Sequence, residues 1–249
     1  MCYQKEFHLV YQPICRLEDG TIVGAEALIR WDSPQLGSVS PNEFIPIAEA
    51  SNLISSISDW VLEQALEQLQ RWHRIAPDFT VSVNISPVEL DADDALERLG
   101  QRFAQMPTSH HRLGLEITER GIYRNLENYR QSLHSLQAMG LRIKLDDFGV
   151  GQSGLSQLLQ FPFDEVKVDR GFVPTDACDI QKIAICQAVT TLAKGLNFRP
   201  VAEGIETAEQ RDLMIQLGYT YGQGYFFARP MLSEQLTKLL SENVRQSTR

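Results

Sequence analysis

The stretch Tyr129–Asp147, YRQSLHSLQAMGLRIKLDD, carries the alternation on which the fold turns. Tyr129–Met139 reads as a helix, and Gly140 follows as its C-cap. Leu141–Leu145 (LRIKL) reads as a strand that runs straight into Asp146–Asp147. Helix, glycine, strand and polar pair then recur in both directions. Upstream, Thr21–Ala27, Thr80–Ile85 and Arg112–Ile117 are strand-like. Between the first two, Ser58–His73 places Val61, Leu62, Ala65, Leu66, Leu69 and Trp72 on one helical face, with Glu63, Gln64, Glu67 and Gln68 outside. Downstream, Glu165–Val168 is a strand, Ile183–Lys194 a helix stopped by Gly195, and Phe198–Ala202 a strand leading into Glu203. Asp212–Leu217 is a helix end closed by Gly218, and Tyr219–Phe227 holds the last strand. Strands separated by helices pair in parallel, because a parallel crossover needs a helix-sized connection. That leaves a closed barrel or an open doubly wound sheet. The first strand–helix turn of a dinucleotide-binding sheet would carry G-x-G-x-x-G, and none stands there, which favours the barrel.

Length and composition suit one large globular domain or two small ones, and permit an α/β barrel. The chain has 249 residues, 43% hydrophobic and 22% charged, close to the roughly 250 such a barrel takes. A net charge of −9 argues against a general DNA or RNA binder, whose affinity rests on a basic surface. Cys2, Cys15, Cys178 and Cys186 form no C-x-x-C pair and read as reduced thiols of a cytoplasmic protein. No apolar run reaches the roughly 18 residues of a membrane span, and Met1–Val10 lacks a signal-peptide core.

The strand ends carry Glu26, Asn84, Glu116, Asp146 with Asp147, Lys167 and Glu203. In a barrel the chemistry sits at the C-terminal ends of the strands, where residues distant in sequence surround one cavity. Any one Asp or Asn after a strand is an ordinary turn former or helix cap. Carboxylates at most strand ends are not, since they repel one another unless cations neutralise them. Oxygen donors of this kind suit Mg²⁺ or Mn²⁺. A pair of such ions about 3.5–4 Å apart is a common device for hydrolysing phosphodiesters, and adjacent carboxylates such as Asp146–Asp147 suit it. Lys167, flanked by Val166 and Val168, is expected to point inward, because helices cover the outside of a parallel strand. Arg30, four residues past Glu26, could reach a phosphate, and Gln223 between two glycines could approach a base or phosphate closely. His110–His111 and the other histidines form no zinc or nucleophile constellation, and there is no G-x-S-x-G elbow or P-loop.

YQPI (11–14), EALIRW (26–31), PNEFIPIAE (41–49), VNIS (83–86), LEITE (115–119), KLDDFGVG (144–151), KVDR (167–170), AEGIET (202–207) and GQGYFFARP (222–230) stand in one ordered series. The chain thereby resembles the EAL-domain cyclic-di-GMP phosphodiesterases from about residue 6 to 235. The resemblance implies one domain over 1–249, a modified TIM barrel with one antiparallel strand, cut from a longer multidomain protein. It implies that Glu26, Asn84, Glu116 and Asp146 hold a first Mg²⁺ or Mn²⁺, with Asp146 bridging to a second that Asp147 serves. It implies that Lys167 contacts the catalytic water region and that Glu203 is general base or second-site partner. Gln12, Leu28, Arg30, Asp169, Glu206 and Gln223 fall at substrate and supporting positions, and Glu119 braces the loop after Asp147. The expected activity is hydrolysis of cyclic di-GMP to linear 5′-pGpG. The expected partners are a second copy of the chain and an attached sensor or GGDEF-type domain. The location is cytoplasmic, although a parent protein could be membrane-anchored. Active members of the family usually read DDFGTGYSSL, whereas this chain reads DDFGVGQSGL, with Val150, Gln152 and Gly154 in place of Thr, Tyr and Ser. That departure motivates the alternative, a cyclic-di-GMP receptor with little or no turnover.

Overall fold

The computed structural model describes residues 6–90, 95–104, 112–118, 126–150 and 154–247. Its strands are β1 (Phe7–Arg16), β2 (Ile22–Ser33), β3 (Gly37–Val39), β4 (Thr80–Asn84), β5 (Leu113–Thr118), β6 (Arg142–Phe148), β7 (Glu165–Val168), β8 (Arg199–Ala202) and β9 (Tyr221–Gly222). The helices are α1 (Pro41–Ala50), α2 (Ile54–His73), α3 (Pro87–Leu90), α4 (Ala95–Ala104), α5 (Leu126–Ala138), α6 (Gly154–Gln160), α7 (Ile180–Leu196), α8 (Ala208–Gln216) and α9 (Ser233–Ser247).

The strands pair in the order β1-β9-β8-β7-β6-β5-β4-β2-β3, and β1 also pairs with β2. That last pairing closes an eight-stranded barrel and leaves β3 outside it. From β2 through β9 the barrel strands run parallel, whereas β1 is antiparallel to both neighbours. The reversal has a local cause. β1 and β2 are joined by Leu17–Thr21, too short for a parallel crossover, and Gly20 takes the left-handed conformation there (φ 70°). Asp19–Gly20 between two apolar runs is thus a hairpin signal that the sequence reading passed over.

α2 packs the anticipated stripe inward: Leu62, Ala65, Leu69 and Trp72 are fully buried and Val61 and Leu66 nearly so. Each leucine or valine of the stripe contributes about 1.5–3 kcal/mol by leaving water. The Trp72 ring meets Tyr11 edge-on at 4.8 Å and Phe79 at 5.2 Å, and its Nε1 donates to Thr237 Oγ1 of α9 at 2.8 Å. This seam ties the reversed strand to the first and last long helices.

Several expected boundaries move. The final strand, Tyr221–Gly222, lies inside the stretch 219–227 expected to hold it and is short because the chain turns back beyond it: Phe227 and Ala228 donate to the Gly224 carbonyl. Gly195 does not stop α7, which continues to Leu196 and is capped by left-handed Asn197 (φ 59°). The first predicted strand is longer than expected. β2 pairs with β4 only from Gly24 to Ala27 and then rises above the barrel, pairing with β1 and β3. Glu26 therefore sits within a strand, yet at the end of its barrel portion.

Candidate active site

The inward side chains at the C-terminal rim of the barrel converge on one ammonium. Lys167 Nζ lies 2.9 Å from Glu26 Oε2, 2.8 Å from Glu116 Oε2, 3.0 Å from Asp146 Oδ1 and 2.8 Å from Glu203 Oε1. These residues come from β2, β5, β6, β7 and the residue following β8. Strand parity drives the side chain of Lys167 inward, where it is 1% exposed, as expected from its apolar flanks. An ammonium has three N–H bonds, so four carboxylates share them.

Asp146 and Asp147 solve a geometric problem. Neighbours on a regular strand point to opposite faces. Here Asp147 is left-handed (φ 55°), and the pairing of β6 with β7 slips between Leu145 and Phe148. The irregularity breaks the alternation, so that an oxygen of each aspartate joins one of Glu203 in a group spanning no more than 4.8 Å. Asp is among the few side chains that tolerate this conformation. Gly149 follows at φ 102°, and a Cβ there would lie 2.5 Å from the Phe172 ring. That position accepts only glycine.

A second carboxylate group, Glu26, Glu116 and Asp146, meets the same limit, and Asp146 belongs to both. Two sets of converging carboxylate oxygens with one shared member are a donor chemistry that fits hard divalent cations. Asn84 joins this second group from β4: its Nδ2 donates to Glu26 Oε1 at 2.9 Å. Gln223 Nε2 donates to Glu26 Oε2 at 2.9 Å and to Gln12 Oε1 at 3.0 Å. The two glutamines therefore brace a carboxylate from the side.

The electrostatics follow from crowding. Burial opposes ionisation of Glu26, but Lys167, Gln223 and Asn84 outweigh it and hold the carboxyl at about 2. For Glu116 burial and the Glu26 charge win over Lys167 and push it up to about 7. Burial likewise holds Glu203 well above the ordinary carboxylate range, against the pull of Lys167. Burial opposes the charge on Lys167, but the surrounding carboxylates prevail and raise it well above the usual lysine value. Burial and the Asp146 charge raise Asp147. A carboxyl raised by folding favours the fold at low pH, and that contribution is lost as the pH climbs through its folded value. For Glu116 the loss falls between its ordinary 4.5 and about 7. A divalent cation bound at Glu116 would have to displace that proton below about pH 7 and not above it. The rise in unfolding temperature on adding Mn²⁺ is therefore expected to be larger at about pH 8 than at about pH 6. Equal shifts at both would contradict the Glu116 assignment.

Gln12, Glu26, Leu28, Asp146, Lys167, Asp169, Glu203, Glu206 and Gln223 line one cavity of about 290 Å³. Arg30 and Asn84 line a neighbouring cavity of about 440 Å³ that shares Leu28 with the first. Arg30 Nη1 donates to the Ile29 carbonyl at 2.8 Å. Asp169 caps the 3-10 turn Arg170–Phe172 by accepting from Gly171 N. Glu119 and Gln152 lie outside the described residues. The residues missed by sequence reading lie beneath the cluster: Lys144 and Glu165 are each 2% exposed, and Lys144 reaches Glu116. Their signal was parity, since Lys144 stands two residues before Asp146 and Glu165 two before Lys167.

A family model described as EAL domain matches residues 1–230. The cyclic di-GMP phosphodiesterase PA2567 of Pseudomonas aeruginosa is 38% identical over 233 residues, which is 94% of this chain and 40% of that protein. The bifunctional diguanylate cyclase/cyclic di-GMP phosphodiesterase MucR of the same organism is 36% identical over 237 residues, 94% of this chain and 34% of that protein. The chain thus spans well under half the length of these curated relatives. The solved structure of the MucR phosphodiesterase in complex with c-di-GMP superposes with a TM-score of 0.85 at 36% identity, covering 94% of this chain and 95% of that one.

Proposed function

This chain belongs to the EAL domain family, and from that membership we propose that it hydrolyses cyclic di-GMP to linear 5′-pGpG. The observation that carries the reading is the meeting of Glu26, Glu116, Asp146 and Glu203 around Lys167 at the mouth of the barrel. The activities named for PA2567 and MucR and the ligand in the MucR structure support the choice of substrate.

In this reading Glu26, Asn84, Glu116 and Asp146 would hold one divalent cation, and Asp146 with Asp147 would hold a second. Bound there, Mg²⁺ or Mn²⁺ would draw charge from the phosphate and make water more acidic. Glu203 takes a proton from the attacking water, and the burial that raises its carboxyl well above the ordinary range makes its carboxylate the stronger base. Water attacks phosphorus in line with the leaving 3′-oxygen. A P–O bond forms, the P–O3′ bond breaks, and the 3′-oxygen leaves as a hydroxyl on taking up the proton that Glu203 accepted from water. Lys167 faces the reacting phosphate and offsets its developing charge. Leu28 separates the reacting cavity from the one containing Arg30, which suits a two-nucleotide ring with one phosphate at the carboxylates and the other toward Arg30. Gln12, Asp169, Glu206 and Gln223 border the first cavity as substrate or supporting contacts.

Leu155 (61% exposed) and Leu159 (73% exposed) stand one turn apart on α6, close behind Val150 (50% exposed). That apolar stripe supports a homodimer. The greater length of the relatives, and the cyclase in the name of MucR, support a parent protein with attached regulatory domains. No helix among the described residues is long and apolar enough to cross a membrane. A cytoplasmic location completes the proposal.

The test is purified protein with cyclic di-GMP and Mn²⁺ or Mg²⁺, followed by chromatography for pGpG. Product that disappears with a chelator is the expected result. Tight binding with intact substrate at high protein concentration would instead select the receptor alternative, which the complete set of acidic side chains disfavours.

A further inference from the structure

Below the carboxylate cluster the barrel holds a second row of charge. Glu116, Lys144, Glu165 and Arg199 are successive cross-strand neighbours on β5, β6, β7 and β8. Lys144 Nζ is 2.7 Å from Glu165 Oε1 and 3.8 Å from Glu116 Oε1. Arg199 Nε donates to Glu165 Oε2 at 2.8 Å, and the Arg199 guanidinium lies 4.7 Å from the Tyr221 ring centre. Layers inside a barrel are ordinarily filled by branched apolar side chains. Buried ion pairs of this kind are poor sources of stability, since well-packed apolar groups do as well or better. The row is nevertheless built for its lysine. A Cβ on Gly114 would lie 2.6 Å from Lys144 Cε, so that glycine is the notch through which the stem passes.

The two oxygens of Glu116 thus face two different cations: Oε2 meets Lys167 above and Oε1 faces Lys144 below. We infer that Lys144 tunes the cation site from beneath, setting how tightly divalent ions are held through Glu116. The inference rests on the proposal that divalent cations work at Glu116. Lys144, Glu165 and Arg199 together carry one net positive charge (+1 −1 +1); water screens the buried Lys144–Glu165 pair little, whereas Arg199 is 35% exposed and acts more weakly. Glu165 draws Lys144 partly away from Glu116, and Arg199 in turn draws on Glu165. Lys144 touches no reacting atom, so its influence runs through Glu116 alone.

The two inner members of the row then act with opposite sign. In chelator-stripped full-length protein, calorimetric titration with Mn²⁺ is expected to show about tenfold tighter binding for Lys144→Met and about tenfold weaker binding for Glu165→Gln. A row that merely supports the fold would loosen the site in both variants. Weaker binding in both, or changes below about twofold in both, overturns the inference. Thermal unfolding of each variant separates lost structure from altered affinity. If Glu165→Gln does not fold, Arg199→Met replaces it: tightening, but by less than Lys144→Met, is expected, and weakening overturns the inference. A parent that binds Mn²⁺ without turning over cyclic di-GMP fails the proposed activity and leaves this test intact. A parent that binds no Mn²⁺ overturns both.

Discussion

Glu26→Ala is expected to cut turnover of cyclic di-GMP by about a thousandfold or more, about 4 kcal/mol of transition-state stabilisation, while the protein stays folded. The loss has two sources. Glu26 is one of three carboxylates whose oxygens converge within 4.8 Å, so its removal takes a donor from the cation site. It is also where Asn84, Gln223 and Lys167 meet, and all three lose a hydrogen-bond acceptor at once. The fold should survive because carboxylates crowded in one place repel, and removing one relieves the rest. Lys167 keeps Glu116, Asp146 and Glu203 as partners. Asp146→Ala should behave alike, since Asp146 belongs to both carboxylate groups. The checks are product formation at saturating substrate, Mn²⁺ affinity by calorimetry, and unfolding temperature. Parent-like turnover in either variant would remove the cation assignment. A collapsed unfolding temperature would recast these residues as structural.

What could be read in the sequence was whatever periodicity and parity report. β7 was predicted with the observed bounds because EVKV alternates two charged residues with two valines, a period-2 pattern that sends Glu165 and Lys167 to one face. The stripe of α2 was legible because six apolar residues fall on one face. The carboxylates were legible as strand-end residues because a barrel converts distant strand ends into neighbours. That one strand runs antiparallel came from family resemblance, which did not say which strand; Asp19–Gly20 supplies the physical reason that it is β1. Two things had no visible signal. Strand alternation would send Asp146 and Asp147 to opposite faces, and only a left-handed residue inside β6 brings both to one site. The extent of the last strand depends on the backbone turning at Gly224 rather than on its aromatic residues, which are as β-prone as any. The charged row under the site lay between these cases. Parity marks Lys144 and Glu165 as inward, but their pairing depends on a register fixed only by closure of the barrel.

Lys167→Met should separate rate from assembly. Methionine keeps much of the stem and removes the ammonium, so the site loses charge without a large void. At saturating substrate and Mn²⁺ the rate is expected to fall about a hundredfold, as when one donor to a transition-state oxyanion is lost. Mn²⁺ affinity should be retained or increased, because four carboxylates are left with one cation fewer. With a chelator present the same charge count turns against the fold. Removing one member of a buried ionic group costs about 3 kcal/mol or more, or roughly 6–12 °C in unfolding temperature for a chain of this size. Saturating Mn²⁺ should restore most of that loss, because the ions replace the missing positive charge. The joint pattern is the discriminating result: slow turnover, undiminished metal binding, and a stability deficit that Mn²⁺ repairs. A variant that cleaves at the parent rate would show that Lys167 only neutralises its neighbours. A variant that loses Mn²⁺ binding would show that the ammonium organises the carboxylates rather than acting beside them.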